Sequence, residues 1–396
     1  MPLGIYISVP FCKTKCSYCN FASGVFSKQV FKRYVDRVVE DIGKAEAVAA
    51  QVGGQFEGDV DSIYLGGGTP TLLDSAQLRR LFEAVRSHFH VAADAEITVE
   101  CAPGTLSPEV IDTLLACGVN RVSLGVQSFI DKEASSVARL HTRQITLEEI
   151  ARLRAAGIEN ISIDLIAGLP HQTKESWETS LSETIDTGVP HASVYMLEVD
   201  EDSRLGRELI AGGTRYHAHH VPDDDLTADL YERAVERLNT AGVKQYEISN
   251  LAREDWQSKH NLKYWTRQPY LGFGVDAHSM LRSSSSELEA VRFATSDNLE
   301  QYVSGSAVEP IRVTKQQAIE EAYFLGLRLV RGIDLTEIAE EFGTAATIVF
   351  REELAEMANA GLVEVEEGRI RLTDRGRLVS NEVFALLITS PESAQK

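Results

Sequence analysis

The 396-residue chain has no run of roughly 18 to 20 consecutive apolar residues, the length a helix needs to cross a bilayer, so any membrane contact is expected to be peripheral. It is also short of positive charge. Its 39 Lys and Arg stand against 59 Asp and Glu, a formal charge of −20, and a surface of that sign repels phosphate backbones, which makes nucleic acid a poor partner. Cysteine is scarce and odd in number: of five, three lie between Cys12 and Cys19. No basic, apolar leader precedes them, so the expected setting is a reducing cytoplasm and not a secreted, disulfide-held fold. What the chain does have is 43% apolar residues, enough for a large core and a second module.

Through the first 250 residues, short β-branched runs alternate with amphipathic stretches, the pattern of a parallel sheet wrapped by helices. The strands are expected at Ile5 to Val9, Ser62 to Leu65, Glu96 to Glu100, Arg121 to Val126, Ile161 to Ile166 and Ser193 to Leu197. After the first strand, Phe31, Tyr34, Val35, Val38, Val39 and Ile42 recur at three-and-four spacing and predict a helix that packs one stripe on the sheet. Six β/α units form a partial (β/α)6 barrel, open along one side where a large substrate can reach the rim. Chemistry is then expected where strands end. Cys12, Cys16 and Cys19 follow the first strand, Gly66-Gly67-Gly68-Thr69-Pro70 the second, Glu100 ends the third, Gln127 the fourth, and Asp164 lies in the fifth.

Beyond about residue 300 the pattern changes to short helices near Ile319 to Val330, Leu335 to Phe342 and Ile348 to Ala360, then a hairpin turning at Glu366-Glu367-Gly368. This reads as a winged-helix-like α+β module. Glu352, Glu353 and Glu356 on its third helix repel phosphates, so packing or partner docking is expected there instead of DNA. The expected organisation is 1–250 for the barrel, 251–300 for a connection, and 301–396 for the C-terminal module.

Three thiolates at C-x3-C-x2-C can each take one iron of a cubane, leaving the fourth iron open to an exogenous ligand. A zinc site is the alternative, but no nearby fourth Cys or His completes one. Cys101 and Cys117 are each alone in apolar surroundings and read as core residues. The glycines lack a Cβ and permit close backbone approach to a ligand, although a bland strand-to-helix turn needs the same residues. Glu100, Gln127 and Asp164 offer polar groups for hydroxyls or amines, and Arg139 a counter-charge for a carboxylate.

Together, Tyr6-Ile7-Ser8-Val9-Pro10-Phe11-Cys12, the cysteine loop and Leu65-Gly66-Gly67-Gly68-Thr69-Pro70 resemble the radical S-adenosylmethionine superfamily, in the branch of oxygen-independent coproporphyrinogen oxidase. The resemblance implies a [4Fe-4S] cluster on Cys12, Cys16 and Cys19, reduced by an electron donor. It further implies S-adenosylmethionine held by Tyr6, Gly67, Gly68, Thr69, Glu100, Gln127, Arg139 and Asp164. The porphyrinogen oxidases carry a fourth cysteine where this chain has Phe21, and typically a longer segment ahead of the cluster loop. The chain is more similar to the HemW heme-chaperone family, which lacks that cysteine and carries H-N-x-x-Y-W, here His260-Asn261-Leu262-Lys263-Tyr264-Trp265. Ser8 departs from the histidine usual in both branches, which puts any catalytic role of that position in doubt.

A neutral imidazole is a normal heme ligand, and Tyr264 with Trp265 offers flat apolar surface for a porphyrin face. The opposed reading has His260 in a cap and both aromatics in the core. The resemblance favours heme ligation by His260 and transfer of heme to an apo-hemoprotein. The rival activities are radical oxidative decarboxylation of coproporphyrinogen III and iron-sulfur regulation through the C-terminal module. His217, His219 and His220 look like a metal tract but precede Pro222-Asp223-Asp224-Asp225, which reads as a polar loop and an acidic helix start.

Overall fold

The computed structural model describes residues 1–305 and 307–389. Six strands run parallel in chain order: β1 (Leu3–Val9), β2 (Asp59–Gly67), β3 (His90–Cys101), β4 (Arg121–Gln127), β5 (Asn160–Ala167) and β6 (His191–Met196). The expected strands lie inside or within a residue of these. The helix Lys28–Gly43 buries Phe31, Tyr34, Val35, Val38 and Ile42, with Val39 at the edge of the stripe.

Residues 251–300 do more than connect. Past β6 the sheet adds β7 (Lys244–Gln245) and β8 (Asn250–Ala252), both antiparallel. On the other side β9 (Tyr270–Phe273) pairs parallel with β1, followed by β10 (His278–Arg282), β11 (Ala290–Ala294) and β12 (Ile311–Val313). The physical reason is the edge of β1, whose backbone donors and acceptors need covering. The result is a twelve-stranded sheet whose two ends do not pair, so the barrel stays open.

The inner and outer faces of the barrel strands differ in chemistry. Outward positions such as Ile5, Ile7, Val9, Ile63, Leu65, Val122, Leu124, Ile161 and Ile163 are fully buried in one apolar cluster with the surrounding helices. The alternate positions carry Tyr6, Ser8, Ser62, Tyr64, Glu96, Glu100, Ser123, Asp164, Ser162 and His191, and these bond across the lumen. Ser62 Oγ lies 3.0 Å from His260 Nδ1, the Tyr64 hydroxyl donates to Glu100 at 2.8 Å, Ser123 Oγ donates to Asp164 at 3.0 Å, and Ser162 Oγ lies 2.8 Å from His191 Nδ1.

A short helix, Lys259–Trp265, closes the end of the lumen where the strands begin. Ser258 caps it by accepting from Asn261 N, and the buried Glu96 carboxylate takes three donors from its first turn: Ser258 Oγ at 3.2 Å, Lys259 N at 3.1 Å and His260 N at 3.0 Å. These are the amides that a helix start leaves unpaired. Lys263 then reaches Asp61 at 2.7 Å and the Pro2 carbonyl at 2.9 Å.

The C-terminal module has the helices Lys315–Gly326, Leu335–Phe342 and Arg351–Asn359 and a three-stranded sheet of β13 (Ile333–Asp334), β14 (Val363–Glu366) and β15 (Arg369–Leu372), ordered β13-β15-β14. Its hairpin turns on Glu367 and Gly368, both at positive φ, the two-residue geometry whose twist matches the strands. A second apolar cluster fills the module and reaches Met280 and Ala290 of the large sheet. Arg267 joins Glu321 at 3.3 Å and Glu341 at 3.0 Å, while Arg292 meets Glu321 at 2.8 Å. Among the described residues no helix is long and apolar enough to cross a membrane.

Replacing Glu96 by Ala leaves three donors without their acceptor in a buried setting. The expected loss is roughly 2–4 kcal/mol, read as a lower urea midpoint. An unchanged midpoint would show that the Lys259–Trp265 helix is held by something other than this carboxylate.

Candidate functional site

The cysteine loop leaves β1 and is pinned at its base. Cys12 N donates to Gly24 O and Gly24 N to Pro10 O, each at 2.9 Å, while the Phe11 ring stacks on Phe31 with centroids 3.8 Å apart. Between these pins Cys12, Cys16 and Cys19 are partly exposed, unpaired thiols. They are near neighbours: the Cys12 thiol is pushed up by burial first, and by the adjacent Cys19 and Cys16 as well. Among the described residues no three His, Cys, Asp or Glu side chains converge as ligands of a single ion. A cubane makes a different demand, with each cysteine on its own iron, and three unpaired thiols around one loop meet it.

The glycine loop after β2 interlocks with the cysteine loop. Gly68 N donates to Val9 O at 2.9 Å and Thr69 N to Phe11 O at 2.7 Å. A Cβ at Gly68 would lie 2.8 Å from both the Val9 and Phe11 carbonyl oxygens, so the close approach of the neighbouring loop requires that glycine. Gly67, at φ +100, is the one that faces a cleft. The Glu100 carboxylate fixes it, accepting from Gly67 N at 3.1 Å as well as from the Tyr64 hydroxyl. Burial pushes the Glu100 carboxyl up to about 7, with Asp164 adding to the rise against the pull of Tyr64, Gly67 and Arg121. Burial likewise raises Asp164, which sits deeper in the lumen and accepts from Ser123 through both oxygens.

Gln127 ends β4 in a left-handed conformation at φ 67, a strained state common at working sites. Arg139 takes a place that the sequence did not indicate: one guanidinium nitrogen lies 3.5 Å from Cys16 Sγ and another donates to the Gly125 carbonyl. The same segment holds the cysteine loop through Thr14 Oγ1 to Ala138 O at 2.8 Å and Ser17 N to Val137 O at 3.4 Å. Arg139 therefore stands beside Cys16 as a counter-charge.

Tyr6, Ser8, Phe21, Gly67, Tyr264 and His278 line a cleft of about 290 Å3 between β1, the cysteine loop and the turn after β9. His260 is not on it. Its ring is 1% exposed, stacked on Tyr64 at 5.3 Å, with Nδ1 3.0 Å from Ser62 Oγ and Nε2 2.9 Å from the Tyr264 hydroxyl. Burial, ahead of repulsion from Lys263 and Arg121, lowers its pKa to about 3. Each ring nitrogen thus lies within hydrogen-bond distance of a hydroxyl oxygen. Trp265 turns away as well, its ring lying 4.2 Å from the Arg328 guanidinium of the C-terminal module. Only Tyr264 of the motif reaches the cleft.

Sequence reading also missed the company of the histidine tract. His171, from the loop after β5, lies with its ring 3.9 Å from His220 and 5.1 Å from His217. The rings pack on one another without converging, and Asp223 caps the following helix, Asp224–Thr240, as its acidic start implies.

Residues 6–183 match the radical SAM superfamily, and residues 313–379 the HemN C-terminal domain. The heme chaperone HemW of Bacillus subtilis (strain 168) is 33% identical, covering 97% of this chain and 98% of that one.

The chain belongs to the HemW heme-chaperone family.

HemW of Escherichia coli (strain K12), another member of the family, is 29% identical with 98% of each chain covered. Among solved structures, coproporphyrinogen III oxidase (HemN) from Escherichia coli, a radical SAM enzyme, superposes with a TM-score of 0.80. It is 26% identical and covers 98% of this chain and 90% of its own. The fold is thus shared between this family and an oxidase. Phe21, two residues after Cys19, is 63% exposed on the rim of the cleft.

Two measurements test this site. Cys16→Ala should lose the four-iron centre on anaerobic iron and sulfide analysis, and full retention would refute the ligand set. The second concerns Glu100, whose folded state binds a proton more tightly than the unfolded chain. Its contribution to stability is present at low pH and is lost as pH rises from about 4.5 to about 7. Glu100→Gln keeps an acceptor without the charge, so without S-adenosylmethionine its Tm should gain on wild type as pH rises through that window. A difference independent of pH would show that Glu100 does not titrate there.

Proposed function

We propose that this chain binds heme and hands it to an acceptor hemoprotein, using a scaffold that also holds a [4Fe-4S] cluster and S-adenosylmethionine. The observation that carries the reading is end-to-end similarity to heme chaperones, supported by Phe21 standing where porphyrinogen oxidases have a further cysteine.

Cys12, Cys16 and Cys19 would hold three corners of the cluster, with Arg139 compensating charge beside Cys16. Gly67, Tyr6 and Glu100 would border the S-adenosylmethionine, and Gln127, Thr69 and Asp164 complete the surrounding polar shell. When bound, the cluster supplies an electron to the sulfonium, which requires an electron donor outside the chain. The residues named do the holding: Glu100 fixes the Gly67 amide, Tyr64 fixes Glu100, and His260 with Tyr264 closes the floor.

A second reading, oxidative decarboxylation of coproporphyrinogen III, is favoured by the TM-score of 0.80 to that oxidase. Anaerobic reconstitution followed by two assays separates them. The chaperone reading expects a saturable Soret change with heme, recovery of heme by an apo-hemoprotein, and no conversion of coproporphyrinogen III under reductant. Formation of protoporphyrinogen would overturn it. With 59 acidic residues against 39 basic ones, a partner surface of positive charge would associate faster at low salt.

A further inference from the structure

We propose that the floor of the barrel lumen is a second binding site, one that takes a compact monovalent anion on Arg121 and Thr98. It lies at the strand-start end, away from the cleft and the cysteine loop, and it stands independently of the heme reading.

Arg121 begins β4 and faces the lumen, on the same side of the strand as Ser123. It is 2% exposed, yet its Nε has no hydrogen-bond partner, and among the described residues no carboxylate forms an ion pair with its guanidinium. Its neighbours in register repeat the pattern. Thr98 of β3 and Asn160 of β5 lie opposite Arg121 on either side, Thr98 is fully buried, and both Thr98 Oγ1 and Asn160 Oδ1 are without a partner. Three inward positions on three adjacent strands thus each leave a buried polar atom unbonded. Buried polar groups are nearly always bonded and buried charges nearly always compensated, so the three together point to a ligand from outside the chain.

The carboxylates of the lumen are engaged elsewhere. Glu96 is taken up by the first turn of the Lys259–Trp265 helix, Glu100 by Tyr64 and Gly67, and Asp164 by Ser123. The adjacent imidazole of His191 has Ser162 on one nitrogen and Tyr246 on the other, and burial first, then the Arg121 charge, pushes it well below its ordinary pKa. A guanidinium only donates and a threonine hydroxyl can donate; a half-turn of the Asn160 amide adds a further donor. That set selects an anion and rejects a cation. Because an ion must shed its water to lie between the strands, a small singly charged one, of the halide or formate kind, is favoured over sulfate. Once bound, it screens the pull that Arg121 exerts on Glu100 and Asp164, which links the floor of the lumen to the polar groups above it.

The test melts the full chain, its cluster reconstituted anaerobically, in chloride, bromide, formate, sulfate or gluconate at matched ionic strength. Tm should rise saturably with chloride, bromide and formate and not with sulfate or gluconate. Thr98→Val should weaken the anion about tenfold, Arg121→Met should abolish the dependence, and Arg121→Lys should keep a weaker one. Crystals grown in bromide should show its anomalous signal beside Arg121. Water alone beside Arg121 in those crystals would overturn the proposal, as would a Tm that follows ionic strength and not the identity of the anion. An unaltered chloride dependence in the variants would do the same, and if Arg121→Met does not fold, Thr98→Val and Arg121→Lys decide the comparison.

Discussion

The buried carboxylate of Glu96 holds the structure's working parts in relation to one another. It reaches from β3 to the first turn of the Lys259–Trp265 helix and takes three donors there, tying a helix more than 160 residues away in sequence to the strands whose lumen it closes. A buried carboxylate with this many partners is stable as an acceptor, and each lost partner is costly. Once that helix is fixed, His260 is pressed against Tyr64, Tyr64 is directed to Glu100, and Glu100 sets the Gly67 amide at the cleft. The chain of contacts runs from the floor of the barrel to the rim.

The same helix faces two ways. Its His260 and Lys263 belong to the barrel, whereas Trp265 lies against Arg328, and Arg267 just beyond pairs with Glu321 and Glu341 of the C-terminal module. Within six residues, His260 to Trp265, it supplies a packed imidazole, a cleft-facing phenol and an interdomain indole.

Much of the fold was legible because outward strand positions are long aliphatics and the helix stripes recur at three-and-four spacing; Ile5, Ile7 and Val9 announced β1 directly. The cysteine loop was legible because its spacing is local. What the sequence did not carry is distance in space. Arg139 gave no sign of meeting Cys16, since that contact depends on the turn after β4. Nor did Gly68 show that its missing Cβ makes room for two carbonyls of another loop. The packing of His260 was equally hidden, because its partners, Ser62 and Glu96, lie far away in the chain. The role of 251–300 in extending the sheet was hidden by short strands such as Tyr270–Phe273, whose pairing with β1 is fixed by the neighbour and not by their own pattern.

The two faces of the barrel strands have a consequence for how such a scaffold diversifies. The outward aliphatics pack with the helices and are bound by the demands of folding. The inward Ser, Tyr, Glu and Asp side chains add little to the apolar core, and they meet one another in small hydrogen-bonded sets. A change on the inner face therefore rewrites which ligand the lumen favours while the outer face continues to specify the same architecture. One chain alphabet thus serves as two separate texts, and an oxidase and a heme carrier can differ in one while keeping the other.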